Sequence, residues 1–358
     1  MIKVGITHGD INGIGYEVIL KTLSDARMLE SCIPIIYGST KVAAYHRKTM
    51  DLPNMSMNTV NDVRNVANNR INVINCVDDE IKVELSQSTQ IAGEAAFAAL
   101  KRAVSDLRDG LIDVLVTAPI NKNNIQNENF KFPGHTEYLQ EIAGAGKDAL
   151  MILASEDLRV ALVTGHVPLS EVPKVLTVDR IVSKLKCFNE SLISDFAITG
   201  PRIAVLSLNP HVGEDGLLGN EEKDIIIPAI QEAEKQGVLC FGPYPADGFF
   251  GSGTFDKFDG VLAMYHDQGL IPFKTLAMES GVNFTAGLPV IRTSPDHGTA
   301  YDIAGKNMAS EDSFRNALYM GIDIFQNRKT HQEVTKNPLR KQYFERGSDN
   351  EKLDLSSE

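Results

Sequence analysis

An α/β protein built on a largely parallel sheet is the fold class this sequence predicts. Two observations carry the prediction. Short apolar runs recur at residues 4–7, 33–37, 72–75, 114–117, 160–163, 203–208 and 261–264, and helical patterns stand between most of them. The runs lack the polar alternation of a half-exposed strand, as expected when helices cover both faces of a sheet. A third observation is size: 358 residues with 43% hydrophobic content fill one large α/β domain or two intimately joined ones.

The first run leads into THGDINGIGYEVILK, where Gly9, Gly13 and Gly15 crowd a strand-to-helix turn. Glycines there permit positive φ and close backbone approach, and the helix start that follows suits an anion. The spacing is not GxGxxG, and a plain tight turn fits equally well. Residues 58–75 are rich in Asn and predict a surface excursion. Residues 90–109, with Ala95, Ala96, Ala99, Leu100, Ala103, Val104 and Leu107 at helical spacing, predict a helix ending at Gly110. In PGHTE, Thr136 or His135 is expected near a helix cap with Glu137 in the first turn, and the same imidazole and hydroxyl can orient an anion. From residue 328 onward both signs of charge mix with little apolar content, which predicts a frayed tail.

Three of the strand-like runs end at a histidine: RVALVTGH at His166, RIAVLSLNPH at His211 and GVLAMYH at His266. A single strand-end histidine is usually a hydrogen-bonded structural group. Three delivered to one sheet edge, where α/β proteins bind ligands, are candidate ligands for a divalent metal. The segment from Tyr265 to Arg292 adds Asp267, Lys274, Asn283 and Arg292, and a Lys and an Arg together suit phosphate and carboxylate groups. Asp247 in PADG and Asp267 beside His266 are the candidate proton acceptors or imidazole partners.

A net charge of −12 without a Lys/Arg stripe argues against a nucleic-acid surface, and no apolar stretch approaches a membrane span. The opening strand leaves no room for a leader, so a cytoplasmic location is expected. Cys32, Cys76, Cys187 and Cys240 form no CxxC pair and read as free thiols.

HGTAYDIAGK, with Gly298, Thr299, Asp302 and Gly305, resembles the loop by which isocitrate and isopropylmalate dehydrogenases hold the adenosine half of their cofactor. GDINGIGYE resembles their opening motif. The blocks LNPHVGE, PADG, MYHDQG, GVNFTAGLP and IRTSPDHGTA resemble, in order, those of the 4-hydroxythreonine-4-phosphate dehydrogenase family over about residues 4–325. The resemblance implies an isocitrate/isopropylmalate dehydrogenase-like α/β/α subunit with a cleft between two discontinuous subdomains, about 1–120 with 290–327, and 121–289. Residues 328–358 remain as a polar tail.

The resemblance further implies NAD-dependent oxidation and decarboxylation of 4-phosphohydroxy-L-threonine to 3-amino-2-oxopropyl phosphate, a step of pyridoxal phosphate biosynthesis. Gly298, Thr299 and Asp302 would contact NAD. His135, Thr136, Lys274, Asn283 and Arg292 would bind substrate. A divalent ion (Zn, Co or Mg) would sit on His166, His211 and His266, shared between the subunits of a homodimer. Imidazole suits zinc or cobalt better than magnesium. His8, Ile11, Asn12 and Tyr16 depart from the family's opening TPGDPAGIGPE, and Tyr301 replaces a Pro of the isopropylmalate-type loop. Two alternatives stand beside this reading: a dehydrogenase of threonate or erythronate phosphate, and a metal-dependent hydrolase needing no nucleotide.

Overall fold

Every apolar run named above forms a strand, and all the strands belong to one sheet. The computed structural model describes residues 1–52, 55–78 and 80–337. The strands are β1 (Ile2–Thr7), β2 (Cys32–Gly38), β3 (Met57–Val60), β4 (Ile71–Asn75), β5 (Val114–Thr117) and β6 (Leu150–Ala154). They continue with β7 (Arg159–Leu162), β8 (Ile203–Leu206), β9 (Cys240–Tyr244), β10 (Gly260–Ala263), β11 (Val282–Ala286) and β12 (Arg292–Pro295). Their order is β3-β4-β2-β1-β5-β12-β11-β6-β7-β10-β8-β9. The stretch from β3 to β12 is parallel, as is the stretch from β7 to β9. The pairs β12/β11, β11/β6 and β6/β7 between them are antiparallel.

Alternate residues of each strand serve opposite faces. On one face a single apolar cluster runs from Val4 and Ile36 through Ile152 to Leu262, covered by helices that include Asp312–Thr335 and Val178–Ser194. On the other face the core is split. One cluster lies under helix Gln90–Arg108 and holds Ile35, Tyr37 and Leu115, and the other lies under helix His266–Ala277 and holds Leu153, Val160 and Val261. The gap between these two clusters is where the site described below is found.

Helix Gln90–Arg108 follows the sequence pattern closely. The Thr89 side chain caps it by accepting from the Ala92 amide, and small residues let it lie close to its neighbours. Gly93 shows how close: a Cβ there would stand 2.0 Å from the Asn124 carbonyl oxygen.

Three expectations change. Strands β6, β11 and β12 are central and were not among the expected strands, and β3 and β9 lie at the edges. Strands β11 (VNFTA) and β12 (RTSP) carry Asn283, Arg292 and Ser294 on a buried sheet, so polar site residues mask the strand pattern. Residues 58–75 are not only a surface excursion, since they supply β3 to the edge as well as β4. The helix at PGHTE starts where expected, with His135 next to the cap residue Gly134 and Glu137 in the first turn, and the cap has no side-chain bond. The tail does not begin at 328, because helix Asp312–Thr335 continues through it. Arg328 turns inward, where its guanidinium pairs with Asp195 and donates to the Leu288 carbonyl. Residues 338–358 of the expected tail lie outside the described residues.

The departures in the opening motif form one structure. Tyr16 stacks between His8 (5.1 Å, 11°) and His46 (5.0 Å, 17°). His8 Nδ1 donates to the Gly9 carbonyl at 2.7 Å and His46 Nε2 to the Ile11 carbonyl at 2.9 Å. Burial pushes both imidazoles down to about 4, so both are neutral in the folded protein. The unfolded chain takes up protons at these rings below about 6.5. Their neutral burial is therefore fully tolerated above that pH and opposes folding as pH falls toward 4. At about 1.4 kcal/mol per unit, each ring removes about 3 kcal/mol of stability by pH 4. Urea unfolding between pH 7 and 4 checks this. His8→Phe keeps the stack and should retain about 3 kcal/mol more than wild type at the acid end, and identical acid profiles would contradict the account.

Candidate active site

Arg292 opens β12 in the middle of the sheet and is 4% exposed. Its Nε and Nη2 donate to Thr117 Oγ1 at 3.0 and 2.7 Å, Nη1 donates to Thr285 Oγ1 at 3.3 Å, and Nη2 faces His135 Nδ1 at 3.2 Å. None of these partners carries a negative charge. A guanidinium cannot accept, so His135 Nδ1 is the acceptor and the ring proton sits on Nε2. That Nε2–H is buried and has no partner, and neither has Asn283 Oδ1. Of the five N–H groups of Arg292, one on Nη1 is left over.

Electrostatics follow from this burial. Desolvation pulls Arg292 down to about 10, with Glu137 acting the other way, so the cation persists at neutral pH. His135 falls well below its ordinary value, first from burial and then from the charges of Arg292 and Lys122. These groups line a cavity of about 520 Å³ together with Lys122, Lys274, Asp296, His297 and Gly298. Lys274 Nζ lies 3.3 Å from the Asp296 carbonyl oxygen and 3.4 Å from its Oδ2. Burial pushes the Asp296 carboxyl up, and Lys274 opposes that rise. The cavity is thus lined by Arg292, His135, Lys122 and Lys274, a set of side chains that suits an anion.

The parallel neighbours β7 and β10 end at the same edge. His166 follows β7 and His266 opens the helix after β10, and their rings stand 5.8 Å apart. Asp267 Oδ1 accepts from His266 Nδ1 at 2.7 Å, which leaves the Nε2 lone pair free. Glu137 lies 3.6 Å from His166 Nδ1, and its carboxyl is held below the ordinary range chiefly by that imidazole. His211 follows β8 on a turn, 210–216, whose residues from His211 to Asp215 have positive φ. Among the described residues no group of three His, Cys, Asp or Glu side chains comes together as a metal site. One chain thus presents two oriented imidazoles, a donor pair suited to zinc or cobalt, and carries His211 elsewhere.

The remaining expected residues separate. Thr136 lines a second cavity, about 270 Å³, with Glu137, His166, Arg180 and Lys184. Adjacent residues of one helix turn therefore serve two cavities. Asp247 is exposed at the start of helix Ala246–Gly251 and lines neither. Gly298 borders the larger cavity, and a Cβ there would meet nothing within 4 Å. Asp302 is exposed. The Thr299 carbonyl accepts from the Ile14 amide at 3.0 Å, which joins the two glycine-rich segments from opposite ends of the chain. Tyr301, the departure in that loop, donates to Asp10 Oδ2 at 2.7 Å and accepts from Asn121 at 3.1 Å. Its hydroxyl is pushed up to about 12, by burial first. Sequence reasoning missed Thr117, Thr285, Asp296, Lys122 and the Glu137 contact. Thr117 and Thr285, polar residues inside buried strands, were the signal available.

A cationic pocket beside paired imidazoles, at the edge of an α/β sheet, defines a site for an anionic small molecule. The family model described as "Pyridoxal phosphate biosynthetic protein PdxA" matches residues 30–321, and the chain belongs to that family. It is 60% identical over 356 residues to a 4-hydroxythreonine-4-phosphate dehydrogenase of Bacteroides thetaiotaomicron, covering 99% of this chain and 98% of that one. It is 39% identical to a D-threonate 4-phosphate dehydrogenase of Cupriavidus necator, covering 90% and 96%. A crystal structure of 4-hydroxythreonine-4-phosphate dehydrogenase from Klebsiella pneumoniae superimposes with a TM-score of 0.77 at 33% identity, covering 91% of this chain and 100% of that one.

A cation buried among neutral partners makes a specific prediction. Arg292→Met should weaken the binding of inorganic phosphate by about tenfold or more, the worth of a charged hydrogen bond. The same change should leave the melting temperature at or above that of wild type, because an uncompensated buried charge is removed. Thermal unfolding with and without phosphate reads both. A large loss of stability would mean that the guanidinium holds the fold together rather than the ligand.

Proposed function

We propose that this chain is a dehydrogenase that oxidises and decarboxylates 4-phosphohydroxy-L-threonine, yielding 3-amino-2-oxopropyl phosphate for pyridoxal phosphate formation. The observation that carries the reading is the buried Arg292 with its spare N–H and no carboxylate, beside the unpartnered His135 Nε2. The identities above agree with it. NAD is the hydride acceptor, taken at the loop of Gly298, Thr299 and Asp302, where Gly298 stands open toward the cavity. His166, His211 and His266 would hold a divalent ion, which when bound would supply Lewis acidity to the hydroxyl being oxidised.

The chain's own residues divide the work as follows. Arg292, His135, Lys274 and Asn283 hold the acid's charged ends, and Thr136 reaches it from the adjoining cavity. Orientation of this kind places the reacting carbon without any chemistry by these groups. Asp267 fixes the His266 tautomer, and Glu137 faces His166 in the same manner. Asp247 and Asp267 are the two candidate proton acceptors, and Asp267 already accepts a hydrogen bond from His266 Nδ1. Residues 1–120 with 290–327 and residues 121–289 form the two subdomains, and the cleft between them holds the acid.

His211 does not cluster with His166 and His266 within one chain, so a two-fold homodimer in which the partner supplies it would complete the ligand set. Mixing His166→Ala with His211→Ala subunits under exchange tests this arrangement. Recovery of activity in the heterodimer is expected, because one of its two sites regains a full ligand set. No recovery in verified heterodimers would place all three histidines in one chain.

A D-threonate 4-phosphate dehydrogenase is the second reading, favoured by the relative at 39% identity. Both acids present a phosphate and a carboxylate to the same cations. NADH formation measured against 4-phosphohydroxy-L-threonine and the threonate and erythronate phosphates separates them. The first is expected to give the highest kcat/KM. Turnover without NAD would instead support a metal-dependent hydrolase.

A further inference from the structure

Lys274 is engaged by Asp296, and Arg292 spends four of its N–H groups on Thr117, Thr285 and His135. The third cation of the cavity, Lys122, is different. Among the described residues nothing takes a hydrogen bond or ion pair from its ammonium, although its backbone is held in place. Asn121 Oδ1 accepts from the amides of Asn123 and Asn124 at 2.9 and 3.3 Å, and Asn124 Nδ2 donates to Asp10 at 2.7 Å. The Lys122 carbonyl accepts from Gln126 at 3.2 Å, and the close approach at Gly93 pins the same loop to helix Gln90–Arg108. A fixed backbone under a free ammonium at a cavity wall is the arrangement of a ligand contact.

Gly134 completes it. The Lys122 Cε lies 4.0 Å from where a Cβ of Gly134 would stand, so the stem runs over the start of helix His135–Ala143. The Lys122 charge reaches both His135 and Glu137. A carboxylate of charge −1 is answered by the spare Arg292 N–H and the His135 Nε2–H. A phosphate monoester carries about −1.5 to −2 at pH 7 and offers three acceptor oxygens. Those two donors leave one oxygen and close to one charge for a further cation, and Lys274 already shares its charge with Asp296.

We propose that Lys122 binds that second phosphate charge and is thereby a specificity-determining residue that selects phosphorylated over unphosphorylated acids. This rests on the reading of a phosphorylated acid as substrate. Lys122→Met in the full-length chain tests it, by calorimetric titration with 4-phosphohydroxy-L-threonine and with inorganic phosphate at pH 5.5 and 7.5. These values bracket the second phosphate pKa of about 6.

The variant should bind both about fivefold more weakly than wild type at pH 7.5, a modest factor because a solvent-facing charge is partly screened. At pH 5.5 the difference should shrink. KM for the phosphorylated acid should rise while kcat and the KM for NAD stay unchanged, and Lys122→Arg should restore affinity. Equal affinities of wild type and Lys122→Met at both pH values, with wild type binding well, overturn the assignment of Lys122 alone. Wild type that binds neither compound overturns this proposal together with the reading beneath it.

Discussion

A guanidinium buried without a carboxylate is the constraint on which the rest of the site depends. Taking a cation out of water costs several kcal/mol, and most buried arginines recover it through an ion pair. Arg292 recovers part of it through two threonine hydroxyls and a neutral imidazole. That choice dictates the neighbourhood. Thr117 must end β5 and Thr285 must sit in β11, because both hydroxyls accept within the sheet. His135 must remain neutral, which fixes its tautomer and leaves a buried donor without a partner. A carboxylate at any of these positions would satisfy the cation internally and close the site to anions. The unpaired charge is thus a stored demand for a ligand, held by a sheet that buries it.

The first turn of helix His135–Ala143 transmits this arrangement to the chemistry. His135 faces the cation cavity, Thr136 the smaller cavity and Glu137 the His166 ring. Three consecutive residues therefore link the cation cavity to the imidazole pair, and on the proposed function they set how far a substrate's charged end lies from it. The pair itself follows from topology: β7 and β10 are parallel neighbours, so whatever follows each arrives at the same edge. His211 follows β8, the next strand, on a turn of left-handed residues, and does not form a three-ligand group with the pair.

Much of this was legible in the sequence; β6 (LMILA) is an unbroken apolar run that was passed over, and the rest was hidden for physical reasons. The seven apolar runs and the helix of residues 90–109 were read from periodicity alone because burial on both faces leaves an unbroken apolar signal. Strands β11 and β12 were hidden because Asn283, Arg292 and Ser294 occupy positions where a buried strand normally carries apolar side chains. The pattern failed where function replaced packing. Glu137 read as a helix-start residue, since its contact with His166 is made through the fold and not through spacing. Lys122 gave no signal, because an exposed lysine in a loop becomes informative only once the cavity beside it is known. Arg328 shows the converse: a charged stretch that reads as solvated is anchored when one side chain turns inward to Asp195.

The central claim is that Arg292 exists for an anionic ligand. A crystal structure of the protein with 4-phosphohydroxy-L-threonine tests it most directly. An anionic group of the acid is expected within hydrogen-bond distance of Arg292 Nη1 and His135 Nε2. An acid bound with its charged groups elsewhere, and Arg292 still facing only Thr117, Thr285 and His135, would contradict it.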